Sequence, residues 1–129
     1  MTTVDIPVVD ETTARGRLDA LMFENGLPAY KYVCYQPDWT NGDANLRQLC
    51  PDVDPAVLHV TLNARADVAT WGRALFAGAK TEHTIHEYDD GRWCAVWSEV
   101  ILVPGWLPGV KLSVVHSEDR WIDRPAGAR

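Results

Sequence analysis

Alternating apolar and polar positions mark the second half of the chain and predict three consecutive β-strands there. The segments 82–88, 92–103 and 109–116 are rich in β-branched and aromatic residues, which favour extended backbone. Asp90-Gly91 is typical of a two-residue hairpin turn, and a stretch rich in proline and glycine separates the second segment from the third. The pattern therefore predicts a C-terminal three-stranded meander.

Two further strands are expected earlier in the chain. Residues 56–62 alternate aliphatic side chains and predict a buried strand, while residues 29–36 combine aromatic and β-branched residues. In a regular strand over 29–36, Tyr30, Tyr32 and Cys34 share one face.

The clearest helical pattern covers residues 65–77. Its apolar positions recur at helical spacing and form one stripe, made of Val68, Trp71, Gly72 and Leu75. Asn63 or Asp67 can cap the start of this helix, and Gly78 is a suitable residue to end it.

A second main helix is expected from Asp10 or Thr12, either of which can act as its N-cap, to about Glu24. Two weaker patterns flank the first strands. Residues 3–9 predict a short strand at a sheet edge, where a proline is tolerated. Residues 44–50 predict a short helix that follows a polar loop.

The order of these elements predicts an α+β fold: a mainly antiparallel twisted sheet with two main helices packed on one face and a C-terminal three-stranded meander. A chain of 129 residues is expected to form a single domain, 1–129. Residues 118–129 are charged and contain proline and glycine, so they are predicted to form a flexible tail.

The charge of the chain bears on its partners. The formal net charge is −6 and no cluster of lysine and arginine occurs, which disfavours direct binding to nucleic acid. No apolar run approaches the length of a membrane span, and the N-terminal residues lack the pattern of a secretory signal. We therefore expect a cytoplasmic protein without membrane contact.

Cysteine and histidine spacing gives no indication of a metal site. Cys34, Cys50 and Cys94 contain no Cys-x-x-Cys pair and are an odd number, which favours reduced thiols. His83 and His86 are three residues apart, so on a strand they point to opposite faces. We predict no metal ion and no cofactor.

The predicted hairpin places a set of candidate binding residues on one face. With a two-residue turn at Asp90-Gly91, that face carries Glu82, Thr84, His86, Tyr88, Trp93, Ala95, Trp97 and Glu99. The other face is more aliphatic at its centre and is expected to pack on the helices. A loop one residue longer instead pairs Tyr88 with Arg92 and changes which side chains share a face.

Large aromatic rings with a polar rim are typical of recognition surfaces. The leading interpretation is therefore a non-enzymatic protein-interaction, accessory or regulatory protein. Its candidate binding residues are Glu82, His86, Tyr88, Trp93, Trp97 and Glu99 on the sheet face, with Trp39 and Trp106 in two proline-flanked loops. The expected partner is a protein, with a second copy of the chain as one candidate. Against this, Trp93 and Trp97 can equally be core residues.

An alternative is a small ligand-binding domain or enzyme with a pocket formed by His86, Glu82 and Glu99. Two facing carboxylates beside an imidazole can support acid–base chemistry. However, the sequence contains no Gly-x-Ser-x-Gly motif, phosphate-binding glycine loop or dinucleotide fingerprint. The absence of these motifs favours a protein without enzymatic activity.

Overall fold

The computed structural model describes residues 8–37, 45 and 54–126. Within these residues the chain forms two helices and a five-stranded mixed sheet, which confirms the α+β class. The helices are α1 (Glu11–Glu24) and α2 (Arg65–Leu75), and the strands are β1 (Tyr30–Gln36), β2 (Ala56–Leu62), β3 (Lys80–Glu87), β4 (Trp93–Leu107) and β5 (Val110–Ile122). The predicted strand at 3–9, in most of its length, and the predicted helix at 44–50, apart from one residue, lie outside the described residues.

The sheet has the strand order β1-β2-β5-β4-β3. Three of its four pairings are antiparallel, and β2 and β5 are parallel. The last three strands of the chain pair in sequence order, so β4 lies between β3 and β5. Because β3 pairs with β4 alone among the described strands, it is one edge of the sheet.

The hydrophobic core lies between the helices and one face of the sheet. It contains twelve buried residues: Ala14, Leu18, Ala56, Leu58, Val60, Leu62, Val68, Trp71, Ile101, Val110, Leu112 and Val114. Trp71 is the largest of them, and its indole N–H donates a 3.0 Å hydrogen bond to the carbonyl of Pro28. Burial of this ring therefore leaves no unsatisfied donor.

The start of α1 agrees with the sequence. Asp10 is the N-cap, and its carboxylate accepts a 2.7 Å hydrogen bond from the backbone N–H of Thr13. This hydrogen bond to a backbone N–H lowers the pKa of Asp10. A capping carboxylate also lies at the positive end of the helix dipole, which stabilises the first turn.

The ends of α2 differ from the prediction. Ala64 is the N-cap and makes no side-chain capping bond, while Phe76 follows the helix in a left-handed conformation. Asn63 was a candidate cap, but its amide donates to the carbonyl of Ala29 instead. The predicted end at Gly78 is wrong because the helix stops before reaching it.

The face assignment of Tyr30 is also corrected. The β1–β2 register shifts between Tyr30 and Tyr32. Tyr30 consequently packs against the core together with Val33, whereas Tyr32 and Cys34 are exposed. Because of the register shift, Tyr30 and Tyr32 point to different faces although they are two positions apart. A regular alternating pattern cannot predict this.

The hairpin between β3 and β4 has the longer of the two predicted loops. The N–H of Tyr88 donates to the carbonyl of Arg92, and the N–H of Gly91 donates to the carbonyl of Tyr88, both at 2.9 Å. Gly91 has a φ of 83°, as expected for the last residue of a three-residue loop. The preferred two-residue turn is therefore wrong, and the alternative pairing of Tyr88 with Arg92 is confirmed.

The last strand is longer than predicted. β5 pairs with β4 as far as Ile122, which lies opposite Trp93. The first five residues of the predicted tail, 118–122, are consequently part of the sheet. Charged residues are compatible with a strand here because most side chains at this end of β5 are exposed on both faces.

The sheet extends beyond the core described above. We call this extension the arm and define it as β3 together with residues 93–99 of β4 and 116–122 of β5. The buried core cluster reaches Ile101 and Val114 but includes no residue of the arm. All eight residues of β3 are exposed, whichever face they point to.

Candidate functional site

The strand registers define two faces of the arm. One face lies on the same side of the sheet as the core and the helices, because its β4 residues are an even number of positions from the core residue Ile101. From the core outwards, its rows across β3, β4 and β5 are Thr81-Glu99-His116, His83-Trp97-Glu118, Ile85-Ala95-Arg120 and Glu87-Trp93-Ile122. On the opposite face the rows are Glu82-Ser98-Ser117, Thr84-Val96-Asp119 and His86-Cys94-Trp121.

The predicted binding set is therefore divided between the two faces. Glu82 and His86 of β3 lie on the face away from the helices, as does Tyr88, which follows β3 and contacts Trp121. Trp93, Trp97 and Glu99 of β4 lie on the helix side, so the predicted residues do not form one surface. The predicted pocket of His86, Glu82 and Glu99 is not assembled, because a one-residue change in the hairpin register reverses the face of every residue in β3 relative to β4.

Trp97 forms the centre of the helix-side face. Its ring stacks on the ring of His83, with centroids 4.8 Å apart and an interplanar angle of 11°. The stack links β3 to β4 through a directly opposed pair. Trp97 nevertheless remains 40% exposed, so its indole has area left for contact with another molecule.

A cleft of about 510 Å³ lies between this face and the start of α2. Arg65 of α2 lines one side, and Nε of this residue donates to Oε1 of Glu99 at 2.5 Å. That hydrogen bond is the main cause of a raised pKa for Arg65. On the other side lie His116 and Glu118 of β5, whose Nε2 and Oε1 atoms are 3.2 Å apart.

Four of the polar side chains that line the cleft already have partners, since Arg65 pairs with Glu99 and His116 with Glu118. Nδ1 of His116 lies 3.2 Å from the carbonyl of Leu62, so both nitrogens of this ring face hydrogen-bond acceptors. Glu99 is paired with Arg65. Glu99 and His116 are therefore both engaged in contacts within the chain.

The opposite face of the arm carries an aromatic cluster at its tip. Trp121 is 55% exposed; its ring centroid lies 5.4 Å from that of Tyr88 and 4.2 Å from the guanidinium carbon of Arg92. Cys94, which is directly opposite Trp121, is buried. Sequence analysis missed Trp121 because it assigned the residue to a tail. The aromatic and β-branched pair Trp121-Ile122, which follows the polar residues 117–120, could have indicated that the strand continues.

Asp90 stabilises the β3–β4 hairpin loop, which positions this aromatic cluster. Its carboxylate accepts hydrogen bonds from the backbone N–H and the guanidinium of Arg92, at 3.0 Å and 2.5 Å. The backbone bond is the main cause of a lowered pKa for Asp90. Arg92 is thereby placed above the indole of Trp121, where its charge interacts with the ring face.

The outer edge of β3 is the second feature of the arm. Because the N–H of Tyr88 points to β4, the alternation of an antiparallel ladder directs the backbone groups of Thr81, His83, Ile85 and Glu87 away from β4. In the part of the chain that the structure describes, none of these four N–H and four C=O groups has a backbone partner on that side.

The two predicted tryptophan loops contribute less to this surface. The loop predicted around Trp106 is wrong, because β4 continues to Leu107 and includes this residue, which is half-buried and packs against the core cluster. It lines a shallow groove with Arg17 and Leu21 of α1, at a distance from the arm along the sheet. Trp39 lies outside the described residues, so its binding role remains a prediction from sequence.

Comparison with protein-family models, curated proteins and solved structures finds no match to this chain. Neither of the two described helices is long and apolar enough to cross a membrane. Among the described residues, no three histidine, cysteine, aspartate or glutamate side chains are arranged to hold a metal ion.

Proposed function

We propose that this chain is a non-enzymatic interaction protein that binds an extended segment of a partner polypeptide along the outer edge of β3. The observation that carries the proposal is the row of outward backbone groups at Thr81, His83, Ile85 and Glu87 on a fully exposed strand. An added strand satisfies such groups through main-chain hydrogen bonds. Exposed edges of this length are normally covered or shortened in soluble proteins, which supports a role in binding.

The regularity of β3 favours strand addition. It pairs with β4 over all eight residues without a register shift, and its sequence contains no proline. Bulges, prolines and charged side chains are the common means by which proteins prevent pairing at an edge. β3 has no bulge and no proline, and its charged residues, Lys80, Glu82 and Glu87, favour a partner strand of complementary charge.

The side chains beside the edge can provide specificity. Trp97 and His83 flank it on the helix side, and Tyr88 and Trp121 lie on the opposite face at the tip. Alternate residues of an added strand point to these two faces in turn. Main-chain bonds then contribute affinity, while the rings select the residues that pack beside them.

Site-specific photocrosslinking in cells of the source organism tests this function. We expect a benzophenone amino acid at Ile85 to give a covalent adduct with a polypeptide. The matched control is the same substitution at Phe23, an α1 residue that is 88% exposed but lies outside the arm. Equal labelling at both positions, or labelling at Phe23 alone, contradicts binding at the β3 edge.

A further inference from the structure

We infer that the segment that pairs with β3 is β3 of a second copy of this chain, in an antiparallel register centred on Thr84. This inference rests on the proposed function and names its partner. It joins two five-stranded sheets into one continuous sheet. Both helix layers then lie on the same side of that sheet.

Symmetry restricts the possible registers. Two identical antiparallel edges are related by a two-fold axis perpendicular to the sheet, so each residue lies opposite one that points to the same face. A register must therefore be centred on a single residue. In the register centred on Thr84, His83 lies opposite Ile85 of the second copy, and Thr81 lies opposite Glu87. All four are residues whose backbone groups point outwards, so the ladder is fully hydrogen-bonded.

The side chains of β3 are complementary to themselves in this register. Glu82 lies opposite His86 of the second copy, and symmetry produces this pair twice. An imidazole N–H can donate to a carboxylate in either protonation state of the ring. At the axis, Thr84 meets its own equivalent, and threonine pairs are favourable across strands. No two like charges are opposed within the paired residues 81–87.

The two neighbouring registers are less favourable. Centring on His83 places Lys80 opposite His86 and Glu82 opposite Thr84, so neither charged residue faces an opposite charge. Centring on Ile85 keeps an imidazole–carboxylate pair, His83 opposite Glu87, but reduces the overlap of the strands to 83–87. Only the register centred on Thr84 pairs all four outward residues with one another.

The same register covers exposed apolar surface. Ile85 is 45% exposed and lies on the helix-side face, next to the row that holds His83 and Trp97. In the dimer, Ile85 of the second copy is directly opposite His83 and therefore packs beside the His83–Trp97 stack. Each copy supplies one such contact, so the apolar area is buried on both sides of the axis.

Disulfide trapping tests the register. In a background with Cys34→Ser and Cys50→Ser, we expect Thr84→Cys to form a reducible dimer on mild oxidation. Its two Cα atoms would lie about 4.5 Å apart, the spacing of a non-hydrogen-bonded pair. Ile85→Cys and His83→Cys are the matched controls, because their Cα atoms would be more than about 7 Å from their own equivalents. Trapping at either control position in preference to Thr84 overturns the register.

Sedimentation equilibrium tests the interface without covalent capture. Ile85→Pro removes an outward N–H but no hydrogen bond to β4, so we expect a folded monomer. Ile85→Val keeps the N–H and is expected to remain dimeric.

Charge substitutions test the same interface. His86→Glu places a carboxylate opposite Glu82 of the second copy and should weaken the dimer about tenfold. Adding Glu82→Lys restores opposite charges and affinity. Within one chain Glu82 and His86 lie opposite Ser98 and Cys94, and Nε2 of His86 is 3.2 Å from the hydroxyl of Thr84. None of these partners is charged, so the effect of the exchanged charges arises between copies.

The possible outcomes separate this inference from the proposed function. A wild-type chain whose dimer dissociation constant is weaker than about 1 mM overturns self-association. A dimer that Ile85→Pro leaves intact also overturns it, because the interface then lies elsewhere. A photocrosslinked adduct at Ile85 with a different polypeptide, in a chain that stays monomeric, retains the proposed function and rejects the second copy as the partner.

Discussion

Phe76 combines two features that are unusual for an aromatic residue. Its backbone is left-handed, with a φ of 53°, and its side chain is 97% exposed. The conformation ends α2, because the N–H groups of Phe76 and Ala77 donate to the carbonyls of Arg73 and Gly72. Glycine is the residue that usually occupies this position after a helix, since a Cβ atom makes the left-handed region unfavourable.

Phe76→Gly should therefore stabilise the monomer. The substitution removes the backbone strain and loses almost no packing, so we expect the free energy of unfolding to rise by about 0.5–1 kcal/mol. Urea denaturation of dilute protein measures the change. Phe76→Ala is the control, because it removes the ring but keeps the Cβ atom. A gain from Phe76→Ala as large as that from Phe76→Gly contradicts the role of strain.

Among the secondary-structure elements, α2 shows how a glycine can be required inside a helix. A Cβ atom on Gly72 would lie 2.8 Å from the carbonyl oxygen of Ala77 and 3.4 Å from Cδ1 of Ile101. Gly72 therefore allows the chain that leaves α2 to pass close to the last turn of the helix at Ala77, while the distance to Ile101 is an ordinary van der Waals contact. Gly16 of α1 is different, because nothing lies within 4 Å of the corresponding position.

Alanine substitutions at these two glycines should have opposite effects. Gly72→Ala forces a clash with backbone and is expected to lower the free energy of unfolding by about 1–3 kcal/mol. Gly16→Ala gains helix propensity and should raise it by about 0.5–1 kcal/mol. Urea denaturation of both variants provides the comparison. Equal stabilisation by the two substitutions would show that Gly72 is not needed for close packing.

Prediction from sequence succeeded for elements with one buried face. The bounds of β2 agree with the predicted 56–62, and the apolar stripe of α2 includes the buried Val68 and Trp71. The register of β3 could not be obtained in this way. Both faces of KTEHTIHE are polar and both are exposed, so the pattern contains no signal for which face is inside. An Asp-Gly turn is compatible with either loop length.

At the scale of the whole molecule, the core and the arm have different roles. The helices pack on one face of the sheet at the core, and the arm extends beyond them. Both faces of β3 are exposed, while Cys94 and Ala95 in the β4 part of the arm are buried. Glu82, His86, Trp93, Trp97 and Glu99 were predicted in the correct strands but on a shared face that does not exist. Because these residues lie on two faces, they do not form a single aromatic surface. The feature common to both faces is the outer edge of β3, which separates them.

Residue-resolved amide hydrogen exchange along β3, measured by NMR in dilute and in concentrated protein, tests this account most directly. In dilute protein we predict slow exchange at Glu82, Thr84 and His86, whose N–H groups bond to β4, and fast exchange at the outward residues, which are Thr81, His83, Ile85 and Glu87. Under conditions where sedimentation shows the assembled form, the outward amides should become slow. Fast exchange at these four amides in the assembled form would contradict the claim that the β3 edge is the binding site.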